Sequence, residues 1–409
     1  MYDHEPLKVC MVVIKYYYND PRVRRYAEAL IKTGVQVDVL CVREQGQTNS
    51  GKSSGVRVFS IPIEHHHGSI ARYLFEYGMS FILFSFLLPG LYFRKKYHVI
   101  HVHNVPDLLI FTGFIPRLFG AKLILDIHDP MPEFYMAKYQ KPENHILIKL
   151  IKVQEKISTW FAHAVITVSN TCKEHLVSRG ISDQKITVVR NLPEPGLFIR
   201  EKYEQERGLP HQYFTMIYPG TITAIYSLDV AIQALPKLVN KIPNIRLRLF
   251  AEQESYVDEL LNFARKLGVS AYVEFKPFIP RDQMPLEYAR ADIGILTARS
   301  SPILDIGVPT KIIEYALMGI PIIATRLRAL EDWFTESSIL FFESGSVEQF
   351  AACVLELFEH PALREQLVQN MDRTFVRTQN WKNEKREYFN VLRRLLPQGL
   401  IPQGDDQCL

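Results

Sequence analysis

Short apolar runs alternate with amphipathic stretches along nearly the whole chain. Lys8–Ile14, Val35–Val42, Arg57–Pro62, Val99–His103, Lys122–Ile127 and Ala164–Val168 are predominantly apolar. Such runs predict strands covered on both faces, and the helix-like stretches between them predict crossovers in a parallel sheet. One of these, Asp20–Thr33, puts Val23, Ala27 and Leu30 on a single face. Gln45–Gly55 is polar and holds Gly and Ser, so it reads as a loop.

At Arg190–Phe198 the alternation stops in a run of turn formers, Asn191-Leu-Pro-Glu-Pro-Gly, which reads as a linker. It then restarts with strands at Thr215–Pro219, Arg246–Ala251, Val273–Phe275, Ile293–Thr297, Ile322–Thr325 and Ile339–Phe341. Helical patterns cover Val347–Phe375 and Lys382–Leu396, followed by a polar tail expected to be disordered. The organisation expected is a doubly wound α/β domain over 1–190 and another over 191–380. A helix at 381–396 and a tail at 397–409 complete the chain.

Composition narrows the function. The chain has 409 residues with 48 Lys and Arg against 44 Asp and Glu, a net charge of +4. That is too small to suggest nucleic acid as a partner. Five cysteines with no CxxC spacing argue against a disulfide framework or a structural zinc site and suit a reducing cytosol. No secretory signal is expected at the N-terminus. Tyr77–Phe93 is uncharged and apolar but short for a membrane span, is broken by Pro89-Gly90, and is followed by Arg94, Lys95 and Lys96. It reads as a buried helix or, in the sharper alternative, as a peripheral contact at the inner face of a membrane through 77–96. His65–His67 lack carboxylate or cysteine companions and are not read as a metal site.

No GxGxxG follows the first strand, and GxxxxGK[ST], GxSxG and HExxH are missing. Three segments carry the remaining signal. In Gly307–Thr325, Pro309 suits a helix start, Gly319 and Pro321 suit its end, and Lys311 and Glu314 lie close on one face. Free amides at Thr310 with a cation and a carboxylate would suit a nucleotide diphosphate; the plainer alternative is a Lys–Glu pair. Tyr218–Asp229 is a strand, a small-residue turn at Gly220-Thr221 and a helix start. Leu125–Glu133 gathers Asp126, His128, Asp129 and Glu133 at a strand's carboxyl end, where open α/β sheets put their chemistry.

Taken together, the chain resembles the retaining, nucleotide-sugar-dependent glycosyltransferases of family 4, which have the two-domain GT-B fold with a central cleft. The resemblance rests on the order of Asp20-Pro-Arg-Val-Arg-Arg-Tyr-Ala-Glu-Ala-Leu30, Val99-Ile-His-Val-His-Asn-Val-Pro-Asp107, Val168-Ser169, Pro219–Asp229, Arg290–Leu296 and Pro309–Ala324. It implies transfer to a glycan or lipid-linked acceptor, in polysaccharide or glycolipid assembly, with no cofactor beyond the nucleotide-sugar co-substrate and no metal. It places Glu314 on the nucleotide ribose, Gly220 and Thr221 on the diphosphate loop, and Pro309, Thr310 and Lys311 beside the donor. His128 would lie near the transferred sugar, with Asp129 and Glu133 as its companions. Asp20, Arg22, Arg25 and His103 are the acceptor-side candidates, although Asp20 equally suits a helix cap.

Two departures stand out. The family's glutamate eight residues before Glu314 falls on Ile306, with Asp305 one position off, and its phosphate-binding Arg and Lys fall on Thr221 and Tyr226. Arg299, Lys311, Arg326 and Arg328 are candidates to replace that charge. A nucleotide-sugar epimerase on the same fold and a catalytically silent sugar-nucleotide binder are the alternative functions.

Overall fold

The computed structural model describes residues 6–43, 50–53, 55–64, 70–193, 196–209, 212–251, 255–398 and 400. The expectations for His65–His67, for the first part of the 45–55 loop and for nearly all of the tail lie outside the described residues. The chain divides into a first unit, Met1–Asn191 with Lys382–Leu409, and a second, Leu192–Trp381.

The first unit is built on strands β1 (Lys8–Val13), β2 (Gln36–Arg43), β3 (Ser50–Ser53), β4 (Val56–Glu64), β5 (Val99–His103), β6 (Lys122–Ile127), β7 (Ala164–Thr167) and β8 (Ile186–Val188). Their order is β3-β4-β2-β1-β5-β6-β7-β8. β1 pairs in parallel with both β2 and β5, so the chain leaves it in opposite directions and a switch point opens at its carboxyl end. Two strands differ from expectation. Ser50–Ser53, read as loop, is an edge strand antiparallel to β4, and the short β8 extends the other edge.

Six helices of this unit are α1 (Pro21–Lys32), α2 (Ile70–Lys95), α3 (Phe114–Leu118), α4 (Met131–Tyr139), α5 (Ile146–Phe161) and α6 (Asn170–Ser178). α1 starts because Pro21 is preset for a first turn and the Asp20 side chain accepts the amides of Arg22 and Val23. α2 runs through Pro89, where a break was expected. Proline removes one ladder donor, but Phe84, Leu88 and Tyr92 form a stripe on the sheet and keep the helix continuous. The chain's last helix, Trp381–Leu395, buries Tyr388 with its ring 4.3 Å from that of Tyr26. Its Glu384 accepts the Arg190 backbone amide at 2.6 Å.

The second unit holds β9 (Phe214–Pro219), β10 (Ile245–Ala251), β11 (Val273–Pro277), β12 (Ile293–Leu296), β13 (Ile322–Thr325) and β14 (Leu340–Phe342), in the order β11-β10-β9-β12-β13-β14. All its pairings are parallel. The switch point lies at β9 and β12, and Gly220 follows β9 there. The helix Thr310–Met318 packs so closely on β12 that a Cβ on Gly294 would meet the Tyr315 ring at 2.5 Å. The predicted helix over Val347–Phe375 divides at His360, since Pro361 can open a helix but cannot sit inside one without loss.

Candidate functional site

In the second unit a pocket of about 300 Å³ opens beyond the carboxyl ends of β9 and β10. Gly220, Thr221, Pro309, Thr310, Lys311 and Glu314 all line it; Arg299 does not. Gly220 has φ of 98°, a left-handed turn that tips the chain out of β9 at the pocket, while its amide donates to the Phe250 carbonyl at 2.8 Å. The helix Thr310–Met318 has no side-chain cap at its start, so its first amides stay available to an anion. A larger pocket of about 470 Å³ lies at the amino ends of β12 and β13, against Asp292 and Pro321. Open parallel sheets bind ligands at the other end, so the smaller pocket is the candidate site.

Lys311 and Glu314 do not neutralise each other alone. The Lys311 ammonium lies over two aromatic rings, 3.5 Å from the Tyr218 centroid and 4.3 Å from that of Tyr226. Burial holds its pKa well below the ordinary lysine value, with Glu314 opposing that shift. The Glu314 carboxylate takes Arg281 Nη2 at 2.6 Å and Nε at 3.2 Å on one oxygen, and the Tyr288 hydroxyl at 2.6 Å on the other. Tyr288 is fully buried, and burial followed by Glu314 keeps its hydroxyl protonated.

Arg281 and Tyr288 are the functional neighbours that sequence reasoning missed. The signal was there for Arg281, a cation just past the carboxyl end of β11. Arg326, a candidate replacement cation, is instead held by Glu331, Glu336 and Glu343 at 2.9, 2.8 and 3.2 Å. Arg299 pairs with Asp229 at 3.4 Å on an exposed edge. Ile306 is buried, and Asp305 accepts the Ser300 hydroxyl at 2.7 Å.

In the first unit the carboxyl ends of β5 and β6 hold a buried polar cluster. Arg22 grips Asp126 with Nε at 2.8 Å and Nη2 at 2.9 Å. His103 Nδ1 lies 3.2 Å from Asp126, and His101 Nδ1 meets the Tyr388 hydroxyl at 3.1 Å. Burial alone would raise the Asp126 pKa, but Arg22 and His103 hold it well below the usual carboxylate range. Burial lowers His101 and His103, so both are neutral. The ligand atoms of His101, His103 and Asp126 lie within 4.8 Å of one another. Both carboxylate oxygens accept from the Arg22 guanidinium, while His101 Nε2 and both ring nitrogens of His103 make no hydrogen bond among the described residues.

His128 stands at the rim of this cluster. Its side chain is 17% exposed, with Nδ1 4.0 Å from Asp126. That nitrogen has no hydrogen bond among the described residues. Asn104, another residue missed, fixes the turn: its Oδ1 accepts the amides of His128 and Asp129 at 3.1 and 3.3 Å, and its Nδ2 donates to the Asp129 carbonyl at 2.8 Å. Asp129 itself is exposed.

The remaining site candidates are placed differently from a solvent-facing surface. Glu133 is buried in an ion pair with Arg179, which also binds Glu155 at 3.0 Å. That carboxylate ties α4 to α5 and α6. Asp20, Arg22, Arg25 and His103 are all buried rather than lined up to meet an acceptor. Asp20 is the cap of α1, Arg22 serves Asp126, and Arg25 donates to Asn191 Oδ1 at 2.6 Å. A cation or carboxylate leaves water only when paired, and these have found their partners inside the unit.

Residues 20–191 match the glycosyl transferase 4-like domain, and residues 199–374 match the glycosyl transferases group 1 domain. With that pairing, the chain belongs to the GT4-type glycosyltransferases. An uncharacterized glycosyltransferase of Methanocaldococcus jannaschii is 24% identical over 94% of this chain and 97% of its own length. The chitobiosyldiphosphodolichol beta-mannosyltransferase of Candida albicans is 26% identical over 64% of this chain and 60% of its own. The sucrose-phosphate synthase of Thermosynechococcus elongatus superposes with a TM-score of 0.76 at 16% identity, over 95% of this chain and 99% of that one. Anabaena HepE, solved with UDP and glucose, gives 0.65 at 15%, over 95% and 99%. The two parallel-sheet Rossmann-like units are thus of the GT-B type.

Proposed function

We propose that this glycosyltransferase moves a sugar, with retention, from a nucleotide-diphosphate donor to a glycan or lipid-linked acceptor, in polysaccharide or glycolipid assembly. The observation that carries the donor half is the second unit's pocket. It combines a side-chain-free turn at Gly220, uncapped amides at Thr310, the buried amine of Lys311 and a fixed carboxylate at Glu314. That is the complement of a ribose joined to a diphosphate. A neighbour solved with UDP-glucose fits the same reading.

In the reaction, the bond from the anomeric carbon to the diphosphate breaks and its electrons go to the leaving group. A bond to the acceptor oxygen forms, and the acceptor hydroxyl passes its proton to the departing diphosphate oxygen. Charge building on the diphosphate is met by Lys311, Arg281 and the helix start. The role assigned to His128, at the partly exposed rim of the first unit's polar cluster, is contact with the transferred sugar. We place the chain in the cytoplasm, with peripheral contact at the inner face of a membrane through 77–96. Supply of the positive charge by side chains makes transfer independent of a divalent cation, and turnover in excess EDTA is expected to be unchanged.

The test is a melting-temperature panel of UDP-, GDP-, ADP- and dTDP-sugars, followed by turnover of the one that binds. Consumption that depends on an acceptor pool supports transfer. Sugar released without acceptor would favour an epimerase, and binding without consumption a silent member. His128→Ala should lower kcat about 10²–10³-fold with an unaltered melting temperature. Near-normal turnover would remove His128 from catalysis. Inversion is the second reading, because relatives are named for both beta- and alpha-transfer; the anomeric configuration of the product decides.

A further inference from the structure

The outer face of the first unit carries more apolar surface than residues 77–96. On α2 the outward stripe is Phe75, Ile82, Phe86 and Phe93, with Phe86 77% exposed. On α5 a second outward stripe, Ile146, Leu150, Val153, Ile157 and Trp160, recurs at steps of three and four residues, and Trp160 is 74% exposed. The inward stripe of α5 is separate and includes Ile148, Ile151 and Thr159. The helix is apolar on both faces, and the unit accounts for only one of them.

α3 joins the two stripes. The Phe119 ring after α3 packs 5.1 Å from Phe93 of α2, and Phe114 stacks 6.1 Å from Phe161 of α5. The Tyr92 hydroxyl donates to the Phe119 carbonyl at 2.7 Å. Exposed Phe114, Leu118 and Phe119 therefore continue the surface from one long helix to the other. Within the three helices the exposed charges have one sign, although Glu143 ahead of α5 is exposed and pairs with Lys152. The acidic residues of the three helices are Glu76 and Glu155, and both are buried. Lys149 and Lys156 flank the α5 stripe in the open, and Arg94 and Lys96 close the end of α2.

We infer that α2, α3 and α5 form one docking plane for an anionic lipid surface, in which Trp160 and the α5 stripe enter the headgroup–acyl boundary and the flanking lysines contact acidic headgroups. An apolar centre rimmed by cations matches such a surface. A second copy of the chain matches it poorly, because a twofold contact would set the same lysines against each other. The helices lie in the plane rather than cross it: α2 turns Glu76, Ser80 and Phe84 toward its own unit. The inference extends the contact proposed for 77–96 to α3 and α5, and it is independent of the sugar chemistry.

The test is flotation of the full chain with phosphatidylcholine vesicles, with and without 30% phosphatidylglycerol. Binding is expected to the anionic vesicles and to fall at high salt. Lys149→Glu with Lys156→Glu should weaken it about tenfold or more, and Leu150→Ser with Trp160→Ser should abolish it. All four side chains are exposed, so melting temperatures should stay at the wild-type value. Brominated lipid should quench the wild type, and the quenching should vanish in Trp160→Phe. Absence from all vesicles, or flotation that ignores these substitutions, would overturn the inference. So would a dimer that the same substitutions dissociate.

Discussion

Replacing Glu314 tests the donor pocket most directly, provided the substitution respects what the carboxylate already does. A carboxylate offers about four acceptor positions. Arg281 takes two and Tyr288 a third, which leaves one for a ribose hydroxyl without breaking a contact. Glu314→Ala would strand the fully buried Tyr288 hydroxyl, at a cost of about 1–3 kcal/mol. Arg281 is about a third exposed and would turn to water, so its lost pair adds no more than about 1 kcal/mol. For a domain of this size, the sum lowers the melting temperature by roughly 2–16 °C. Loss of binding in that variant would be partly loss of folded site. Glu314→Gln keeps an acceptor oxygen for Tyr288 and turns an amide donor toward Arg281, which is about a third exposed and can turn to water. The expected result is a melting temperature within a few degrees of wild type and a nucleotide Kd raised about ten- to a hundred-fold by calorimetry. An unchanged Kd in a folded Glu314→Gln protein would refute the ribose assignment.

The two buried histidines should make acid work against the first unit. His101 and His103 are held neutral below their unfolded pKa of about 6.5, so the unfolded chain binds more protons as the pH falls. Their contribution is present above about pH 6.5 and is lost below it at up to about 1.4 kcal/mol per pH unit for each group. Asp126, lowered in the fold, adds a further loss below about pH 4. Burial pushes Glu155 of the same unit up to about 9, which works the other way, so the test is a comparison: between pH 7.5 and pH 5.5 the urea midpoint of His101→Gln with His103→Gln should shift less toward instability than that of wild type, and an identical pH dependence would contradict the network. Gly294→Ala should lower the second unit's melting temperature, since its Cβ would meet the Tyr315 ring, whose hydroxyl is tied to the Ile217 carbonyl at 3.0 Å. Wild-type stability in that variant would show that the helix can back away from the strand.

The sheets were legible because strands buried on both faces are continuous apolar runs, as β1, β6, β9 and β13 are. Ser50–Ser53 was not, because an edge strand of Ser, Gly and Lys has no apolar face to announce it. At the site, Gly220, Lys311 and Glu314 were readable because a turn and a helix start write their needs locally. Arg281 reaches Glu314 from 33 residues away and Asn104 reaches His128 from 24. No local pattern encodes such partners; only the packing of the carboxyl strand ends brings them together. The burial of the acceptor-side candidates was illegible for a related reason. Asp20, Arg22 and Arg25 look like a charged surface in the sequence, and burial against Asp126 and Asn191 is a tertiary fact.

The cation missing from Tyr226 has not left this corner of the fold. Lys311 brings an ammonium to it from the helix, 4.3 Å from the Tyr226 ring and 3.9 Å from where a Cβ on Gly220 would lie. Tyr226 is then the platform of that charge, since a desolvated ammonium over an aromatic ring gains about 2 kcal/mol. The arrangement forbids restoring the expected lysine by itself. Tyr226→Lys would remove the platform and put a second ammonium about 4 Å from the first, a repulsion of about 4 kcal/mol at an effective dielectric of 20. Donor affinity should therefore fall in Tyr226→Lys and in Lys311→Met, yet recover part of the loss when both are combined, because one cation again stands alone. The quantity to measure is the coupling in a double-mutant cycle of donor Kd, expected at about 1–3 kcal/mol. Strictly additive losses would mean that the two positions do not share one charge site.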